Sequence, residues 1–154
     1  MELGADQLTP LWQRIVETPL AFDTRIADDR LAELAEKART DPGLEDLAKL
    51  LDEPGVWDLL SGVFGCSPFL SGLILRDPAR LARILSSPPE THMRQHRANL
   101  DADMATASTQ ADAMRILRQY KAEAALLIAL ADIGGVLAVV RVTGGIFDFA
   151  HATP

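Results

Sequence analysis

From Glu90 to Ile133 the chain holds neither proline nor glycine, 44 residues in which nothing breaks a helix, whereas eight of its nine prolines fall earlier. Proline inside a helix removes a hydrogen bond and clashes with the preceding turn, so a proline-rich stretch is divided into short helices. The contrast predicts an all-α array of about seven to nine helices, short ones in residues 8–86 and long ones in residues 90–150. Residues 1–154 are expected to form a single helical region, with a short-helix part over 1–87 and a long-helix part over 88–154. Alanine and leucine fill the apolar positions and only 5% of residues are aromatic, which favours helices over strands.

The short-helix part carries its own punctuation. In "CSPFLSGLILRDPARLARIL", Cys66 to Leu85, Ser67-Pro68 and Asp77-Pro78 each precede an apolar run. A Ser or Asp side chain accepts from the unpaired amides of a first turn, and proline is tolerated at the first helical position. Two helices joined by a corner at Arg76 follow. Upstream, Leu8, Leu11, Trp12, Ile15 and Val16 predict a helix ending before Pro19. Asp28–Arg39 predicts a short surface helix with Leu31, Leu34, Ala35 and Ala38 inward. Leu44, Leu47, Leu50 and Leu51 form a third stripe, and Val56, Leu59, Leu60 and Val63 a fourth, separated by Pro54-Gly55 and stopped by Gly65.

The 44-residue stretch is one long helix or two. Its first half is polar, with Met93, Leu100, Met104 and Ala107 as sparse apolar positions. Its second half strengthens to a stripe of Met114, Leu117, Leu127 and Ile128, expected to pack against its neighbours. Gly134-Gly135 ends or kinks it, since each glycine costs about 1 kcal/mol inside a helix. The sequence then resumes as "VLAVVRVTGGIFDFAHATP", where Phe147 and Phe149 call for a partner. The chain is expected to be a piece of a longer protein.

Charge and cysteine usage narrow the function. The formal charge is −7, and residues 1–60 hold 14 acidic against 6 basic side chains. An acidic opening repels phosphates, and the basic stretch Arg76–Arg97 has no interleaved aromatics for stacking bases, so no nucleic acid partner is expected. A single cysteine, Cys66, cannot form an internal disulfide; it is expected to be a small buried residue in a cytoplasmic protein. Ala124–Val140 falls short of the roughly 20 apolar residues of a membrane span and carries Asp132, so no membrane partner is expected. A lipid-surface helix there would reveal itself by binding to liposomes.

No stretch announces catalysis. His92 and His96, four apart, share a helix face, and Glu90 or Asp101 would be the third metal ligand. Met93 stands where a zinc protease places glutamate, and in so polar a stretch the pair reads as two solvated histidines. Asp101 and Asp103 have the spacing of a magnesium-holding pair, but on a helix residues two apart point roughly 200° away from each other. They read as a solvated face. Ser61, Ser67 and Ser71 lack a nucleophile-elbow context, and Gly134-Gly135 and Gly144-Gly145 lack a preceding strand, so they read as breaks or close-packing points. No catalytic, cofactor-binding or metal-binding residue is expected.

Two stretches together, "VFGCSPFLSGLILRDPARLARIL" and "MRILRQYKAEAALLIALADIGGV", resemble the N-terminal helical region of the bacterial bifunctional glutamine-synthetase adenylyltransferase and adenylyl-removing enzymes. The likeness extends more weakly through "PGLEDLAKLLDEPGVWDLL" and "VRVTGGIFDFA". It implies a parent enzyme that moves AMP from ATP to a tyrosine of glutamine synthetase and removes it by phosphorolysis, under the PII signalling protein and glutamine. ATP and magnesium are the implied cofactors of that parent, none of this segment, because the expected Ser-Asp-x-Asp signature does not occur in the chain. The segment's implied role is scaffolding for the nucleotidyltransferase core, with no activity of its own. The rival reading is a free-standing helical interaction module whose acidic first 60 residues bind a basic partner.

Overall fold

A computed structural model describes residues 8–136 of the chain. Within them are seven α-helices and no strand: α1 (Thr24–Thr40), α2 (Glu45–Leu51), α3 (Pro54–Cys66), α4 (Pro68–Arg76), α5 (Pro78–Ser86), α6 (Pro89–Thr106) and α7 (Gln110–Ile133). Single 3-10 turns lie at Leu11–Arg14 and Pro42–Leu44. The all-α class follows from local chemistry. Four helices, α3 to α6, begin on proline, where no N–H partner is missed. The Ser67 hydroxyl accepts from Leu70 N at 3.2 Å and the Asp77 carboxylate from Arg80 N at 3.3 Å, so both proposed corners are capped helix starts. Asp23 caps α1 in the same way, accepting from Ile26 N at 3.0 Å.

The 44-residue stretch divides into two helices. Ala107 leaves helical geometry at ψ 125°, and the Thr109 hydroxyl accepts from Asp112 N at 3.0 Å to begin α7. Helix α6 starts one residue earlier than the proline-free stretch, on Pro89 itself. Helix α7 ends at the glycine pair. Gly135 N donates to Asp132 O at 3.1 Å and Val136 N to Ala131 O at 2.8 Å, the paired bonds of a Schellman cap, with Gly135 at φ +79°.

The core lies where α1 crosses α3. Ala27, Leu31, Leu34 and Ala38 face Val56, Leu59, Leu60 and Val63, all buried. Helix α2 adds Leu47 and Leu50 between α1 and α5, and α7 closes the array through Leu126, Leu127, Leu130 and Ala131. Burying one such leucine is worth about 1.5–3 kcal/mol.

Several expectations change. Residues 8–16 are not a helix but one 3-10 turn, of which Leu11 alone is buried. Residues 15–23 then run extended over two glycine-floored places. A Cβ on Gly62 would stand 2.2 Å from Pro19 Cγ, and one on Gly65 2.5 Å from Ala21 Cβ. At the other side Val16 N and Glu17 N both donate to Gly134 O, at 2.9 and 3.1 Å. Tertiary hydrogen bonds and contact thus replace the helix that periodicity predicts. Helix α1 begins four residues earlier than predicted, at its Asp23 cap, and its 17 residues nearly equal the 18 of α6. Met114 is half exposed; Ile116 is buried in its place, while Leu127 is fully buried. Cys66 is exposed rather than buried, its thiol donating to Leu20 O at 3.4 Å. The expectations placed on Gly144-Gly145, Phe147 and Phe149 lie outside the described residues.

Candidate functional site

The most highly connected polar group of the described residues is Glu123, the one carboxylate in the apolar run "AEAALLIALA" of α7. Its side chain is 12% exposed. Burial alone would raise a carboxyl pKa; hydrogen bonds from His92, His96 and Arg83 outweigh it and hold Glu123 well below the ordinary carboxylate range. Oε1 accepts from Arg83 Nη2 at 2.8 Å. Oε2 lies 2.9 Å from His92 Nε2 and 3.3 Å from His96 Nδ1. One side chain of α7 therefore ties together α5, which carries Arg83, and α6, which carries both histidines.

His96 has a second anchor: its Nε2 donates to Tyr120 O at 2.8 Å, and its ring lies 4.4 Å from that of Tyr120. The Tyr120 hydroxyl donates to Asp103, bracing the middle of the α6–α7 hairpin. Arg80 completes the group. Its Nε is buried without a hydrogen bond, 3.9 Å from both Asp77 Oδ2 and Glu123 Oε1. At that separation the two carboxylates offset its charge without a formal bond. The cluster borders an open cavity of about 650 Å³ between α5 and α6, lined by Arg83, His92, Gln95, His96, Asn99 and Glu123 among others.

Tyr120 gives a direct readout of this hairpin. Burial, then the hydrogen bond to Asp103 and the charges of Asp103 and Glu123, push its hydroxyl from 10.0 up to about 12. It is the chain's only tyrosine, so absorbance titration reports it alone. The expected midpoint is near 12 in the folded chain, and Asp103→Asn should move it towards 10. The stability Tyr120 contributes is present below pH 10 and is lost as pH rises towards 12, because only the neutral hydroxyl can donate to Asp103.

The two histidines are thus not solvated: their side chains are each 9% exposed. Burial comes from the α6–α7 crossing, which no local polarity in α6 announces. Neither expected third ligand joins them. Glu90 is held by Arg14 in a two-pronged ion pair of 2.8 and 2.9 Å that fastens the first 3-10 turn to the start of α6. Asp101 is exposed on α6. Asp101 and Asp103 lie on a continuous helix, where residues two apart diverge by roughly 200°, and Asp103 is taken by Tyr120. This pair does not fit a magnesium-held nucleotide, and no chemical step is assigned to it. Sequence reasoning missed Glu123, Arg80, Arg83 and Tyr120. The available signal was an acid set among the apolar positions of α7, where an inward-facing carboxylate needs partners. Ser67 is the helix cap already described, and the Ser71 hydroxyl is buried, donating to Ser67 O at 2.7 Å. No helix of the described residues is long and apolar enough to cross a membrane.

Comparison with known proteins bears on what this array belongs to. Residues 57–153 match the family described as glutamate-ammonia ligase adenylyltransferase. The chain is 38% identical over 141 residues to the bifunctional glutamine synthetase adenylyltransferase/adenylyl-removing enzyme of Bradyrhizobium sp. strain BTAi1, covering 91% of this chain and 14% of that protein. A relative of the same name from Bradyrhizobium sp. strain ORS 278 is 38% identical over 152 residues, 97% of this chain and 15% of its own length. One from Rhodopseudomonas palustris strain HaA2 is 47% identical over 97 residues, 63% of this chain and 10% of its own. The chain therefore spans only about one-seventh of the length of these two Bradyrhizobium relatives. No solved structure matches it. The matched stretch takes in α4 to α7 and with them the whole Glu123 cluster, and the chain belongs to the glutamate-ammonia ligase adenylyltransferase family.

Proposed function

We propose that this chain is a helical scaffold segment of an enzyme that adenylylates and deadenylylates glutamine synthetase, and that it acts by packing against that enzyme's nucleotidyltransferase core. The observation that carries the reading is an apolar surface beside the α3–α4 corner. Leu20 and Phe22 are each 92% exposed and Phe69 is 63% exposed. The backbone fixes their position: Leu20 O accepts from Cys66 Sγ, and Asp23 N donates to Gly65 O at 3.1 Å. Two large side chains held outward beside a third form a surface suited to a protein neighbour. Membership of a family whose named relatives are about seven times longer supports a neighbour within the same enzyme.

On this reading glutamine synthetase, the PII signalling protein, ATP and magnesium belong to the whole enzyme, the setting is cytoplasmic, and no residue of this segment performs the transfer. The test is reconstitution. A relative lacking the matched segment should lose adenylylation of glutamine synthetase and regain it when this chain is supplied; Phe22→Asp with Phe69→Asp should fold normally and fail to restore it. Full activity of the shortened relative would refute the role.

A second reading keeps one specific observation. Asp28, Asp29, Glu33, Glu36, Glu45, Asp46, Asp52, Glu53 and Asp58 are all exposed on and between α1, α2 and α3. An acidic interaction module would use them on a basic partner, and its binding would fall steeply with salt, whereas association through Phe22 and Phe69 would persist.

A further inference from the structure

Tyr120 O can only accept a hydrogen bond, so Nε2 of His96 carries the hydrogen in that 2.8 Å contact. In a neutral imidazole the other nitrogen is then a bare lone pair. Nδ1 faces Glu123 Oε2 at 3.3 Å, and His92 Nε2 approaches the same oxygen at 2.9 Å. Three potential ligand atoms from α6 and α7 converge, all within 4.8 Å of one another. A cation placed among them would meet three ligand atoms at once, taking the place of the imidazole hydrogens that otherwise face Glu123.

We propose that His92, His96 and Glu123 form a binding site for one divalent transition-metal ion of the zinc type, with its fourth position open to the cavity between α5 and α6. Two imidazoles and one carboxylate are a zinc donor set, and in a tetrahedral site ligand atoms with metal bonds of about 2.0–2.1 Å stand roughly 3.3 Å apart. The two Oε2 contacts already approach that spacing. The surrounding bonds are those that orient metal ligands. The Tyr120 carbonyl fixes the tautomer and ring plane of His96, and Arg83 holds the opposite oxygen of Glu123. His92 and His96 occupy successive turns of one helix, so only the α6–α7 crossing has to be kept for all three ligands to stay together. Arg80 and Arg83 place two positive charges beside the site, which favours an exchangeable ion over a tightly held one. The inference does not depend on the scaffold role.

The rival occupant is a proton on Nδ1, giving a simple ion pair, and metal titration separates the two. Tag-free full chain, stripped with chelator, should bind one Zn²⁺ at pH 7.5, with affinity falling as pH drops to 5.5 because the ligands must be deprotonated. Co²⁺ in its place should give the intense visible bands of four-coordinate cobalt. His96→Ala and Glu123→Gln should each weaken Zn²⁺ by at least about 100-fold, more than the roughly 10–100-fold typical of removing an outer-shell partner. His92→Asn should do likewise, with helicity checked by circular dichroism. If a variant unfolds, the wild-type cobalt spectrum decides alone. Zn²⁺ bound equally well without His96, or a pale six-coordinate Co²⁺ spectrum from the wild type, would overturn the site.

Discussion

Glu123→Ala should destabilise the chain by about 3 kcal/mol, the scale expected when one partner is removed from a largely buried ion-pair cluster and the others are left uncompensated. The loss exceeds that of an ordinary surface pair because Arg83 and His92 hydrogen-bond to this one carboxylate and His96 Nδ1 lies 3.3 Å from it, beside the orphaned Nε of Arg80. Urea denaturation followed by circular dichroism measures it as a lowered midpoint with an unchanged slope. Glu123→Gln should cost less, since the amide still accepts a hydrogen bond. The pH dependence has a defined sign. Glu123 is ionised more readily in the folded chain than in the unfolded one, so its contribution is fully present above the ordinary carboxylate range and lost as pH falls below it. In Glu123→Ala that acid-side loss should shrink.

Gly62→Ala is the second large effect. The new Cβ would meet Pro19 Cγ at 2.2 Å and, less forgivingly, the Pro19 carbonyl oxygen at 2.5 Å. Backbone cannot swing aside as a side chain can, so the extended segment must lift from α3, at a cost of about 3 kcal/mol by the measure of overpacked cores. The gain of up to about 1 kcal/mol in helix propensity on replacing glycine only partly offsets it. Gly55→Ala is the control. It lies in the same helix with nothing within 4 Å of the added Cβ, so propensity acts alone and the variant should be slightly more stable than wild type. Thermal melts of the two variants in parallel should shift in opposite directions.

These effects mark where local sequence chemistry stops. The caps at Ser67, Asp77 and the glycine pair after α7 were readable because each is settled within a few residues. So were the inward faces of α1 and α3, where apolar spacing matches the helical repeat. Residues 8–16 have the same spacing yet form a single turn, because the extended chain that follows is seated on Gly62, Gly65 and Gly134, more than 40 residues away in sequence. The Thr109-x-x-Asp112 pattern that divides α6 from α7 was present as a start signal, in a stretch whose lack of proline and glycine left one helix or two equally open. His92 and His96 were visible as a pair. Their burial was not, since it arises from Glu123 and Tyr120 on the next helix, 24 to 31 residues on. Polarity along α6 describes its outer face and says nothing of what α7 lays across the other.

The central claim is that the chain contributes surfaces rather than chemistry to an enzyme of its family, and transfer of labelled AMP measures this most directly. Purified chain incubated with glutamine synthetase, ATP labelled in its α-phosphate and magnesium should leave the synthetase unlabelled, while a full-length relative assayed alongside labels it. Label transferred to the synthetase by the purified chain alone, and abolished by substitutions within its own helices, would contradict the account.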